Sequence, residues 1–282
     1  MRLILLTCLT MVAFASNSIL NRVAVDSGAI DPSSFAIIRV LAGAIALCMI
    51  LTVRGGGLPI LVRGRVIGAV SLAAYMIGFS LAYVTLDAGI GALILFGTVQ
   101  IAMFAWTALR GAAPTTRQLG GAGVAFAGLL LALWPKDGAA GDLSGAILMV
   151  IAGLGWAAYT LAGRGTTDPL AATAANFVVA LPLLLVLVAG AGLHAAPSGI
   201  ALAILAGAIT SGLGYALWYH VLPQFAGQTA AVIQLSVPII AIAMGAALLG
   251  EAISLTIIAA AVLVLGGIAL AITAPKAPAD HS

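Results

Sequence analysis

The chain has 282 residues, of which 63% are hydrophobic and 7% charged, with a formal net charge of +3. Soluble domains carry about 25% charged residues, so this composition cannot build a water-facing surface. It excludes a soluble domain, and basic residues scattered singly give no nucleic-acid patch. With about 20 apolar residues needed per membrane span, the length allows roughly ten to twelve helices.

Hydropathy predicts ten spans, at 3–25, 32–53, 65–86, 89–109, 117–134, 143–163, 169–190, 199–222, 227–249 and 253–273. The first begins like a secretory leader, with Arg2, an apolar run and Ala13-Phe14-Ala15. Its apolar character continues to Val25, which favours an uncleaved helix. Asp31-Pro32 and Asp168-Pro169 open the second and seventh spans, each an N-cap acceptor followed by proline in the first turn. Gly55-Gly56-Gly57-Leu58-Pro59 is a loop, and Pro114, Pro135 and Pro223 mark turns. The loops are about ten residues or shorter and hold no Gly-x-x-x-x-Gly-Lys-Ser/Thr sequence, which excludes an ATPase engine within the chain. Cys8 and Cys48 lie in apolar runs, and His194, His220 and His281 are far apart. No metal, cofactor or disulfide is expected.

Charge predicts the orientation. With the N-terminus in the cytoplasm and ten alternating helices, eight basic residues fall inside (Arg2, Arg54, Arg63, Arg65, Arg110, Arg117, Arg164, Lys276) and two outside (Arg22, Lys136). That is a positive-inside distribution with both termini cytoplasmic.

The halves repeat. Asp31-Pro32 matches Asp168-Pro169, Thr98-Val99-Gln100 matches Ser236-Val237-Pro238, and Gly128 to Leu133 matches Gly267 to Ile272, at offsets of 137, 138 and 139. We expect one five-helix unit over 1–136 and a second over 137–282 with a short cytoplasmic tail. An odd number of helices inverts the second copy. Inverted repeats are typical of secondary transporters, whose site lies near the midplane at the repeat interface. The expected fold is therefore all-α integral membrane, ten transmembrane helices as two inverted five-helix repeats around a central cavity.

Candidate site residues follow from that geometry. Tyr75, Phe79 and Tyr83 share a face of the third span, Trp156 and Tyr159 one of the sixth, and Tyr215, Trp218 and Tyr219 form a patch on the eighth. Such rings either line an apolar binding cavity or form the interfacial aromatic belt. Tyr83 and Tyr219, near span ends, suit the belt as well as the cavity. Polar groups within spans face the bundle interior; these are Asn17, Arg39, Thr98, Gln100, Asn176, Gln234 and Ser236. Each can serve as helix–helix glue or contact a substrate. Arg39 is the one charge deep in a span and needs compensation by carbonyls, amides or a substrate carboxylate. Pro182 and Pro238 read as mid-helix prolines that kink their spans, with Pro238 either a gating hinge or a static kink. Gly120-Gly121-x-Gly123 and Gly266-Gly267 offer small-residue surfaces, for a fifth–tenth helix pair or a dimer face. Glu251 and Asp87 fall at span ends, where capping is the plain reading.

The arrangement resembles the drug/metabolite transporter superfamily, specifically its ten-helix EamA type. The resemblance rests on Asn17 through Arg22, Pro32 and Arg39, Gly155-Trp156-Ala157-Ala158-Tyr159, and Val237-Pro238 through Gly250-Glu251. It departs where Phe14-Ala15-Ser16 replaces the usual first-helix tryptophan, where Gln100 replaces a proline, and where no glutamate follows the fourth span near Arg110-Gly111. Within the superfamily the chain looks most like the YddG-type exporters of aromatic amino acids. The resemblance implies a bacterial inner-membrane transporter that exports small organic solutes by alternating access, as a monomer or homodimer. It also favours a structural clamp for Arg39. The absence of mid-span acids favours facilitated efflux or exchange. An intramembrane enzyme would need a nucleophile–base pair, and a channel a filter motif; the sequence displays neither.

Overall fold

Several helix starts in this chain are set by side-chain acceptors that satisfy first-turn amides. Asp31 accepts from the N–H of Ser33 and Ser34, both at 2.9 Å, Asp168 from Ala171, and Ser254 from Ile257. The computed structural model describes residues 1–62, 64–110, 115–132, 141–163, 166–190, 192–225 and 233–273. The expected repeat boundary at 136/137, Arg63, Lys136, Arg164, Lys276, His281, the turns at Pro114 and Pro135, and the start of the expected ninth span lie outside the described residues.

Ten helices run through the described residues. They are α1 (Arg2–Asp26), α2 (Pro32–Val53), α3 (Arg65–Ala82), α4 (Ala88–Leu109) and α5 (Thr116–Ala132), then α6 (Gly141–Gly163), α7 (Pro169–Leu187), α8 (Pro197–Gln224), α9 (Ser236–Leu249) and α10 (Leu255–Ile272). Seven of them are long and apolar enough to cross a membrane. The outward faces of the ten helices carry exposed residues such as Ile45, Met49, Val66, Ile67, Phe126, Val186 and Val262. A surface this apolar suits lipid.

Two boundaries differ from expectation for local reasons. α3 stops at Ala82 rather than 86 because Thr85 and Leu86 donate back to the Ala82 carbonyl, while Arg22 takes the carbonyls of Tyr83 and Val84. In the ninth span the helix is interrupted at Leu235, a turn residue still in helical backbone between the helical Gln234 and Ser236, and Pro238 lies three residues past that interruption. Pro182 does lie inside α7.

Packing follows a twofold pattern. Exchanging the halves pairs α1 with α6, α2 with α7, and so on to α5 with α10. The mates α2–α7, α4–α9 and α5–α10 pack directly on one another, and the α3–α6 contact has its counterpart in α8–α1, α3–α7 in α8–α2, and α4–α6 in α9–α1. The α5–α10 pair lies within one chain. A Cβ on Gly121 would meet the Gly267 carbonyl at 2.6 Å, and one on Gly267 the Gly121 carbonyl at 2.5 Å. The backbones touch because neither position has a side chain. Gly120, Gly123 and Gly266 face open space.

The end carrying Asp31 and Glu251 is tied across the halves. Asp31 also accepts from the His194 N–H at 2.6 Å, its own N–H donates to the His194 carbonyl, and Ala196 donates to Ala29. Glu251, between α9 and α10, accepts from the amides of Ala88 and Gly89 at the start of α4. At the same end Arg22 pairs with Asp26 at 3.2 Å and Asp87 at 3.7 Å. At the opposite end Arg54 meets Asp168 at 3.3 Å.

Candidate functional site

The middle of α8 is wound as a π-helix over Leu205–Leu213. Such windings recur at functional sites. Here the winding lies beside Gly207, where an added Cβ would strike the Arg39 carbonyl on α2. The close approach brings Thr210 and Ser211 onto the polar residues of α1 and α2. Thr210 Oγ1 donates to Asn17 Oδ1 at 2.7 Å and Ser211 Oγ donates to the same oxygen at 3.2 Å. Asn17 Nδ2 returns a bond to the Thr210 carbonyl at 3.4 Å.

Arg39 completes this network from α2. Its Nε donates to Ser211 Oγ at 3.1 Å and its Nη2 to Tyr75 Oη at 3.2 Å. Its Cζ lies 4.9 Å from the Phe79 ring centroid and 5.6 Å from that of Tyr75, within cation–π range. The side chain is fully buried, and Nη1 has no hydrogen-bond partner. Thus the clamp onto neighbouring carbonyls that the resemblance favours is replaced by a hydroxyl-and-ring setting.

Rings spread from that guanidinium. Trp156 sits among three tyrosines, with centroids 5.0 Å from Tyr75, 5.3 Å from Tyr159 and 5.3 Å from Tyr215. Tyr75 leads to Phe79 at 5.3 Å and Phe79 to Tyr83 at 4.8 Å. Tyr215 meets Phe14 at 5.7 Å and Phe177 at 5.9 Å, and Phe14 meets Trp218 at 6.1 Å. These offset and edge-on pairs each add about 0.5–1.5 kcal/mol beyond burial. Trp156 is half-buried, whereas Tyr75, Tyr159 and Tyr215 are buried. A second polar cluster lies toward the start of α7. Tyr159 Oη donates to Thr173 Oγ1 at 3.1 Å, which donates to Tyr219 Oη at 3.0 Å. Asn176 Oδ1 accepts from Arg65 at 3.0 Å.

The structure therefore brings together Asn17, Arg39, Tyr75, Phe79, Trp156, Tyr159 and Tyr215. Trp218 joins through Phe14, and Asn176 belongs to the Arg65 cluster. Gln100 on α4 and Gln234, just before α9, are half-buried, apart from the bonds and ring contacts just described. Tyr83 is fully buried, which removes it from an interfacial belt: α3 ends early and its ring folds onto Phe79. Tyr219, half-buried, is engaged by Thr173. Residues the sequence reading passed over are Thr210, Ser211, Thr173, Arg65, Phe14 and Phe177. Thr210 and Ser211 carry the same mid-span polar signal that singled out Asn17. Phe14 stands where the resemblance expects a tryptophan, and packs edge-on against Tyr215 and Trp218.

Outside the spans, Glu251 has its carboxyl pushed above the ordinary range by burial, with Asp87 adding to the rise. The Ala88 and Gly89 amides and Arg22 pull the other way. At Asp31 burial also acts upward, but bonds from Ser34, His194 and Ser33 outweigh it and hold the carboxyl below its ordinary value.

A helical bundle with twofold packing and a buried, ring-lined polar centre at the junction of its halves defines a multi-pass membrane protein of transporter architecture. Residues 143–273 match the EamA-like transporter family. The chain is 46% identical over 278 residues to the uncharacterized protein PA1977 of Pseudomonas aeruginosa, covering 98% of this chain and 96% of that one. A protein of known crystal structure matches with a TM-score of 0.65 and 17% identity, over 94% of this chain and 97% of that one, a likeness of fold alone. The second half of the chain is thus similar to the EamA-like transporter family.

Proposed function

We propose that this protein exports small organic metabolites, amino acids including aromatic ones among them, from the bacterial cytoplasm across the inner membrane. Transport proceeds by alternating access between two five-helix units, 1–136 and 137–282, with both termini cytoplasmic. The observation that carries this reading is the cage of Tyr75, Tyr159 and Tyr215 around the half-buried Trp156 at the meeting of α3, α6 and α8. Apolar walls with a few placed polar groups suit a small solute with an apolar body. The positive-inside distribution gives the direction of insertion. In this reading the Asp31 and Glu251 end is the outer gate.

The test is counterflow of labelled phenylalanine or tryptophan in proteoliposomes. A carrier gives saturable exchange, and Trp156→Ala lowers its rate at least tenfold while the protein remains monodisperse. Unsaturable flux, or exchange that survives Tyr75→Ala, Gln100→Ala and Trp156→Ala combined, would overturn it.

A further inference from the structure

Arginine keeps its charge in any protein environment, and a charge taken out of water needs a counter-charge or a full set of bonds. Arg39 has neither in itself. Its exposure is 0%, and two of its three nitrogens donate to neutral hydroxyls. The five acids whose side chains are described are all engaged at helix ends. Asp26 and Asp87 pair with Arg22, Asp31 holds the start of α2 and His194, Asp168 holds Arg54 and the start of α7, and Glu251 holds the start of α4. None forms an ion pair with Arg39. The remaining group, Nη1, is buried with no acceptor among the described residues.

We propose that Arg39 Nη1 is the anchor for a carboxylate on the transported molecule, which it meets between Tyr75 and Phe79 when the centre opens. This deepens the function proposed above and rests on it: the substrate class is narrowed to carboxylates bearing an apolar or aromatic body. Three features fit a carboxylate. The guanidinium presents N–H groups in a planar fork suited to two carboxylate oxygens. Tyr75 and Ser211 hold it by its other nitrogens, so its orientation is fixed before the anion arrives. The rings next to it, Tyr75 and then Trp156, lie where the apolar part of such a molecule extends. Amines and cationic drugs of the same size lack the anion and meet an uncompensated positive charge.

The experiment uses the wild-type protein in nanodiscs with three probes that share one ring: phenylalanine, 3-phenylpropionate and phenethylamine. Binding is read by tryptophan fluorescence and by competition against labelled phenylalanine counterflow. Phenylalanine and 3-phenylpropionate should bind, and phenethylamine about tenfold to a hundredfold more weakly, as loss of a charge-assisted bond implies. Arg39→Lys should keep part of this preference and Arg39→Gln should erase it. The wild-type comparison stands even where Arg39→Gln fails to fold. Phenethylamine binding as tightly as phenylalanine would overturn the assignment of Arg39 and leave the transport reading in place. Failure of all three probes to bind would overturn both.

Discussion

Replacing Glu251 with alanine removes two bonds that join the α9–α10 turn to α4, at 2.6 Å from Ala88 N–H and 3.2 Å from Gly89 N–H. Those amides belong to a helix start and have no intrahelical acceptor, and a carboxylate there also meets the positive end of the helix dipole. Loss of such a cap costs about 0.5–2 kcal/mol. Hydrogen bonds to a charged group are worth about 1.5–3 kcal/mol, but burial raises the Glu251 carboxyl despite those bonds, so its charge recovers only part of that. We therefore expect Glu251→Ala to cost about 1–2 kcal/mol, roughly 2–6 °C in Tm for a chain of this size. The same bond can be disturbed from another direction. A Cβ on Gly245 would strike Glu251 Oε2 and lie 2.9 Å from its Cδ, so Gly245→Ala displaces the carboxylate. The two substitutions share one interaction and their effects should not add. The assay is thermal unfolding of the four members of that cycle in nanodiscs. Additive losses, or a Glu251→Ala Tm within 1 °C of wild type, would show that the cap carries no stability.

The same carboxyl sets a pH dependence. Its value is raised in the folded protein, so the attached stability is fully present below the ordinary value of 4.5 and is lost as pH rises through the raised value. Glu251→Gln should remove this slope in the window above pH 4.5, as read by Tm against pH. Asp31 has the opposite sign: stability is present above its ordinary value of 3.8 and lost as pH falls through the lowered one; Asp31→Asn should flatten that acid limb. In the α5–α10 pair, Gly121→Ala should cost about 1–3 kcal/mol through overpacking against the Gly267 carbonyl. Gly120→Ala, which meets open space, should be neutral or slightly stabilising by helix propensity. Equal melting temperatures for the two would refute that packing. Gly207→Ala should likewise cost about 1–3 kcal/mol, because its Cβ meets the Arg39 carbonyl, and should separate α8 from α2.

The spans were legible because lipid imposes one rule, a run of apolar residues per helix, and Asp-Pro pairs mark two starts without ambiguity. Both Asp31 and Asp168 cap as their sequence context implies. The Gly121–Gly267 contact was legible only as a surface: spacing identifies small residues but does not tell which of Gly120, Gly121 and Gly123 faces inward. The rings of Tyr75, Phe79, Trp156 and Tyr159 could be placed by helical spacing. Tyr83 could not, because the early end of α3 depends on Arg22, sixty-one residues away in sequence. The π winding of α8 has no simple period in an apolar run, so the meeting of Thr210 and Ser211 with Asn17 and Arg39 could not be placed from spacing. Pro238 lies just past the interruption at Leu235, and a proline marks a weak point in a helix without fixing the residue at which the helix breaks.

The two kinds of polar contact in this protein differ in what can replace them. At the helix ends, water can take over when Asp31, Glu251 or Arg22 lets go, so those bonds can break at modest cost and remake in another arrangement. In the centre no water is available to Asn17, Thr210, Ser211 and Arg39, all of which are buried, and each broken bond there exposes an unsatisfied group. The Asn17 bonds therefore tie α1 to α8, and the Arg39 bonds tie α2 to α8 and α3. The glycine contact zips α5 to α10, and α4 packs on both members of that pair, with Leu93 in one apolar cluster with Leu129 and Val264. Rearrangement is cheapest at the helix ends, where Glu251 and Asp31 form bonds that solvent can substitute. Arg39 stays embedded among its hydroxyls and rings, with Nη1 still open.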